Sequence, residues 1–167
     1  NSSFTQGAGF GRRGDATPDR TNMSGGLGVL RDRAGDDRYA SAIFGTGTGY
    51  WGAMGLLLDG AGDDRYDGRW YSQGGAAHFA YAALVDGGGA DVHNMEATRQ
   101  NMTAGAGHDF SLGILLALGA GGDTFNSDAR GKQATGIPRD GGGLLTLRIY
   151  ELRKPIIAAV NGPAVGV

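Results

Sequence analysis

Asp59-Gly-Ala-Gly-Asp-Asp-Arg-Tyr66 restates Asp32-Arg-Ala-Gly-Asp-Asp-Arg-Tyr39 with one change. The phrase returns more loosely as Asp86-Gly-Gly-Gly-Ala-Asp-Val-His93 and as Leu118-Gly-Ala-Gly-Gly-Asp-Thr-Phe125, at intervals of 27, 27 and 32 residues. Each copy keeps one acid, at Asp37, Asp64, Asp91 and Asp123. Each copy also follows a short apolar run: Gly28-Val-Leu30, Gly55-Leu-Leu-Leu58, Ala83-Leu-Val85 and Ile114-Leu-Leu116. Upstream of those runs lie Gln6-Gly-Ala-Gly9, Gly45-Thr-Gly-Thr-Gly49, Gln73-Gly-Gly75 and Ala104-Gly-Ala-Gly107. A fixed period of this length marks a stacked-repeat architecture, in which one unit cannot bury its apolar face alone but several can. Apolar runs this short, with Gly close by, suit strands; Gly in a helix interior costs about 1 kcal/mol each. Residues 1–120 are therefore expected to form a Gly-Asp repeat β-solenoid, mostly β and of about four coils. Residues 11–22 read as a loop inserted into the first coil.

Composition narrows the alternatives. The chain has 167 residues, 34 of them Gly, with no Cys and 4 Pro. Gly does not fall at every third position, which excludes a collagen helix. A hydrophobic content of 40 % is too high for a disordered linker. The lack of Cys removes disulfides, thiolate zinc sites and Cys nucleophiles. A net charge of −2 gives no electrostatic case for nucleic acid. No apolar run approaches the roughly 20 residues of a transmembrane helix. The chain starts at Asn1 and ends at Val167 in an apolar, Gly-containing stretch, which reads as a fragment.

The repeated acid calls for an explanation. In parallel coils stacked in register, equivalent residues sit about 4.8 Å apart. Asp37, Asp64 and Asp91 would then form a column of carboxylates. Unit charges at that spacing repel by about 1 kcal/mol in water and several-fold more in a less polar medium. Two arrangements would offset this. Each Asp caps its own Gly turn through side-chain-to-amide bonds, with Arg38 and Arg65 beside it. Alternatively, the column holds Ca²⁺, which takes carboxylate and carbonyl oxygens. The column Tyr39, Tyr66, His93 and Phe125 reads as an aromatic ladder. His78, His93 and His108 lie 15 residues apart, a spacing that scatters them over different faces of a coil of about 27 residues. Thr46 and Thr48 pair in one coil only. Arg13-Gly14-Asp15 spells an integrin-type tripeptide, but three frequent residues produce it by chance.

Two resemblances follow from these motifs. Gly60-Ala-Gly62-Asp63-Asp64-Arg65-Tyr66 is similar to the core of the RTX calcium-binding nonapeptide, although the period here is 27 residues and not nine. Residues 2–125 as a whole resemble Gly-Asp-rich repeat proteins from bacteria, which implies a non-catalytic scaffold or binding module, secreted or on the surface.

The remaining residues, 121–167, have a different pattern. Leu145, Ile149 and Leu152 fall at helical spacing within 144–153, the helix ends before Pro155, and Ile156–Val160 reads as a buried strand. Lys154-Pro-Ile-Ile-Ala-Ala-Val-Asn-Gly-Pro-Ala-Val-Gly166 resembles the oxyanion motif of the crotonase (enoyl-CoA hydratase/isomerase) superfamily. The resemblance implies a short, incomplete α/β segment, an acyl-CoA thioester as substrate, a cytoplasmic setting and an oligomer. It also implies that the backbone N–H groups of Gly122 and Val167, 45 residues apart, hold the thioester oxyanion. The family's acid/base glutamates lie downstream of this motif; Glu151 lies upstream of it and does not match them.

Overall fold

A computed structural model describes residues 3–95 and 102–127. Twelve strands follow one another: β1 (Gly9–Phe10), β2 (Leu27–Arg31), β3 (Arg38–Ala40), β4 (Gly49–Tyr50), β5 (Met54–Asp59), β6 (Arg65–Gly68), β7 (Ala76–Ala77), β8 (Tyr81–Asp86), β9 (Val92–Met95), β10 (Gly107–His108), β11 (Leu112–Ala117) and β12 (Thr124–Ser127). Each pairs with the strand three places on in the chain, always parallel, giving three four-stranded sheets ordered β1-β4-β7-β10, β2-β5-β8-β11 and β3-β6-β9-β12. This is a β-solenoid of about three turns, four strands deep on each of its three sides.

The two phrases that differ by one residue are in register. Arg38 faces Arg65 and Tyr39 faces Tyr66, while Leu30 faces Leu57 and Leu57 faces Leu84. Period-2 alternation then sorts each side chain. In β5, Gly55, Leu57 and Asp59 are buried, whereas Met54, Leu56 and Leu58 turn outward and keep part or much of their surface. Leu57 and Leu84 are fully buried and pack with Tyr39 and Tyr66, flanked by Leu30 and Leu115. The interior is narrow. A Cβ on Gly55 would come within 1.8 Å of the Thr48 carbonyl oxygen, so this inward position excludes any side chain.

The corners use left-handed backbone. Gln6-Gly7, Thr46-Gly47, Gln73-Gly74 and Ala104-Gly105 all have positive φ at equivalent places. A non-Gly residue there costs about 1–2 kcal/mol. Inter-coil hydrogen bonds offset the cost: Gly47 N–H donates to Gln6 O at 2.9 Å, Gly74 to Thr46 O at 3.0 Å, and Gly105 to Gln73 O at 2.9 Å. Trp51, His78 and Asp109 begin a second left-handed corner in successive coils.

Two irregularities interrupt the period. The predicted insertion is present: Arg12 and Met23 exchange backbone bonds of 2.6 and 2.9 Å, closing a loop that carries a short 3-10 turn at Gly14–Ala16. The second lies in the last coil. Strand pairing sets Ala117, not Leu118, opposite Asp86, and Phe125 opposite His93. The turn between β11 and β12 thus has one residue more than the turn above it. The fourth strand of the third sheet extends through Ser127, so the coil runs past residue 120. The expected helix over 144–153 and strand over 156–160, with Val167, lie outside the described residues.

Candidate carboxylate site in the repeat turns

Asp37, Asp64 and Asp91 do stack, and a hydrogen-bond ladder links them. Asp37 N–H donates to Asp64 Oδ1 at 2.7 Å, Asp64 N–H to Asp91 Oδ1 at 2.8 Å, and Asp91 N–H to Asp123 Oδ1 at 3.2 Å. Each of Asp64, Asp91 and Asp123 therefore caps the turn of the preceding coil, not its own as the sequence suggested. The reason is geometric: in-register stacking brings the next coil's carboxylate below the amide, where a parallel ladder has no carbonyl to offer. A reverse ladder runs beside it, with Asp63 N–H donating to Asp36 Oδ1 and Ala90 N–H to Asp63 Oδ1, both at 2.9 Å.

The acid that opens each phrase does cap its own turn. Asp59 Oδ1 accepts from Ala61 N–H at 3.2 Å and Asp86 Oδ1 from Gly88 N–H at 2.9 Å. Their second oxygens accept from phenols of the preceding coil: Tyr39 OH donates to Asp59 Oδ2, and Tyr66 OH to Asp86 Oδ2 at 2.5 Å. The phenols belong to the expected aromatic ladder. Tyr39–Tyr66, Tyr66–His93 and His93–Phe125 stack with centroids 5.1, 4.7 and 4.6 Å apart and planes within 9° of parallel.

These contacts create two equivalent acidic groups, Asp37/Asp59/Asp64 and Asp64/Asp86/Asp91, one coil apart, with a carboxylate oxygen from each member within 4.8 Å of the others. Asp59 and Asp86 were not singled out from sequence as members, although their recurrence at the head of each phrase was the signal. Asp64, Asp86 and Asp91 are buried, at 2 %, 0 % and 1 % exposure. Oδ2 of Asp64 and Oδ2 of Asp91 are buried without any hydrogen-bond partner. Burial, reinforced by the neighbouring carboxylates, pushes both acids up to about 6. Burial likewise raises Asp37, with Asp32, Asp59 and Asp36 adding to it. No cation offsets this charge from the protein side. Arg38 and Arg65 turn outward, to Asp67 Oδ2 at 2.9 and 3.1 Å, away from the turn acids they were expected to flank.

Other candidate residues fall elsewhere. Thr46 and Thr48 are buried; Thr46 Oγ1 accepts from Gln73 N–H at 2.8 Å. His93 is buried in the aromatic ladder with Nδ1 3.0 Å from Gln73 Oε1, and burial lowers its pKa. His78 and His108 are not scattered: their rings lie 5.6 Å apart, and Asp109 Oδ2 is 2.7 Å from His78 Nδ1 and 3.4 Å from His108 Nε2. Arg13 pairs with Asp15 at 2.7 Å within the inserted loop. Gly122 is exposed in the turn before β12, and a Cβ there would meet nothing within 4 Å. No family model, curated protein or solved structure matches the chain.

Proposed function

We propose that residues 3–127 are a non-catalytic repeat scaffold that binds an apolar helical element of a partner on the outer face of its middle sheet. The observation that carries this reading is the contrast between the faces. On the middle sheet, Leu27, Val29, Met54, Tyr81, Leu112 and Leu116 are all at least 42 % exposed. Outward positions on the third sheet are polar: Asp67, Asn94 and Asn126 hydrogen-bond to one another across β6, β9 and β12. The chain's buried ionisable groups, Asp59, Asp64, Asp86, Asp91 and His93, point into the coil interior, where no macromolecular substrate reaches.

The size of the face limits its occupant. Four strands at about 4.8 Å and six residues at about 3.3 Å span roughly 20 by 20 Å, about 400 Å². That is large for an unpaired apolar patch on a monomer. It is about half the area each partner contributes to a stable complex of globular proteins. A single amphipathic helix laid on the face matches that area, and a second whole domain does not.

The test uses an apolar dye, anilinonaphthalene sulfonate, and a 14-residue helical peptide with Leu at i, i+3, i+4 and i+7. The native chain should bind the dye, and the peptide should displace it while its scrambled isomer should not. Leu56→Lys, at the centre of the face, should abolish both effects with an unchanged thermal melt. Absence of dye and peptide binding, or equal binding by Leu56→Lys, contradicts the reading.

A further inference from the structure

We infer that the two acidic groups are structural sites for a large, hard divalent cation of the Ca²⁺ class, two ions per chain, with Asp64 shared between them. The argument starts from the unpartnered atoms. Asp64 and Asp91 each spend Oδ1 on an amide of the preceding coil and keep Oδ2 buried with no donor. A buried carboxylate oxygen without a partner is costly unless a proton or a cation meets it. The donors supplied by the protein, Tyr39 and Tyr66 hydroxyls and the turn amides, are already committed to Asp59, Asp86 and the Oδ1 atoms.

The geometry fits a particular ion. Ligands on opposite sides of a Ca²⁺ ion at about 2.4 Å each lie about 4.8 Å apart. The three carboxylates of each group have oxygens within 4.8 Å of one another. The group offers oxygen only, with no imidazole or thiolate, which selects a hard ion over zinc or copper. Its burial leaves little room for the water shell that Mg²⁺ retains. Charge also balances. Asp37, Asp59, Asp64, Asp86 and Asp91 carry five negative charges between them, and two divalent ions return four.

The repeat explains both the number of sites and where they stop. Adding 27 to Asp37, Asp59 and Asp64 gives Asp64, Asp86 and Asp91, so one site is the other moved by one coil. A third site would need an acid opposite Asp86 in the last coil, and Ala117 stands there.

The experiment measures the full chain after chelation. Ca²⁺ titration by equilibrium dialysis should give two ions bound per chain and a rise in melting temperature; Mg²⁺ should give neither at equal concentration. Tb³⁺ should luminesce on tyrosine excitation, because Tyr39 and Tyr66 adjoin the groups, and Ca²⁺ should quench that emission by displacement. Asp91→Asn should retain one ion, Asp64→Asn none, and the control Asp63→Asn both. Because Asn keeps an oxygen for the inter-coil amide, Asp64→Asn in chelator should melt at or above the native chain. No stoichiometric Ca²⁺ binding at millimolar concentration, equal binding of Mg²⁺, or two ions retained by Asp64→Asn overturns the inference.

Discussion

Asp64 shows how much a single position carries in this fold. Its N–H, its Oδ1 and its Oδ2 face three different demands, from the coil below, the coil above and the interior. Its acid type and its stacking were legible from the repeat. Its hydrogen-bond direction was not, because a side chain that caps its own turn and one that caps the turn a coil away share the same sequence. Glycines divide in the same way. Gly55 and Gly122 look alike in sequence, yet a Cβ at Gly55 would come 1.8 Å from the Thr48 carbonyl oxygen while one at Gly122 meets nothing within 4 Å. Gly55→Ala should therefore cost about 3 kcal/mol through overpacking against backbone, and Gly122→Ala should leave stability within about 0.5 kcal/mol. Urea denaturation of the two variants checks this; equal effects would contradict the interior assignment.

Elements are held by ladders of like residues more than by one large core. On the third sheet the outer ladder centres on Asp67, which accepts from Arg38 and Arg65 and from Asn94 at 2.8 Å. Partial burial alone would raise its pKa, but the bonds from Arg65, Asn94 and Arg38 outweigh it and hold the carboxyl below its ordinary value. A depressed folded-state value means that the unfolded chain binds the proton more readily. The contribution is thus complete above the ordinary carboxylate range and is lost as pH falls through the depressed value. The arginines are exposed, so Asp67→Asn should cost under about 1 kcal/mol at pH 7. That difference should vanish near pH 2, as read from paired denaturation curves at both pH values; a constant difference would place the effect elsewhere. Strand identity was legible wherever the 27-residue period held. It failed in the last coil, where matching the Gly-Gly-Asp letters aligned Leu118 with Asp86 while pairing aligns Ala117. The same shift hid the pairing of His78 with His108: Ala77 faces His108 in β7–β10, so His78 lies one position past that pair. The left-handed corners at Thr46, Gln73 and Ala104 carried no signal at all, since these residue types seldom adopt positive φ.

For the molecule, the governing property is that each coil meets only its neighbours, so stability accumulates coil by coil and one register links all three sheets. The repeated phrase made the stacking legible. The apolar outer sheet was also readable, as uninterrupted runs such as Gly55–Leu58, but a run of that kind does not tell which alternate residues face out. Parallel stacking in 27-residue register is the claim on which the scaffold, the binding face and the cation sites depend. Val29, Leu56, Ala83 and Ile114 form one outward row, each facing the next across β2, β5, β8 and β11. With no native Cys, nitroxide labels can be placed on Cys introduced at positions 29/56, 29/83 and 29/114. Their backbone separations should grow in steps of about 4.8 Å. Continuous-wave EPR of frozen samples should then show strongest dipolar broadening for 29/56, less for 29/83 and least for 29/114. A 29/56 pair without broadening, or three pairs with the same broadening, would contradict the stacked-coil architecture.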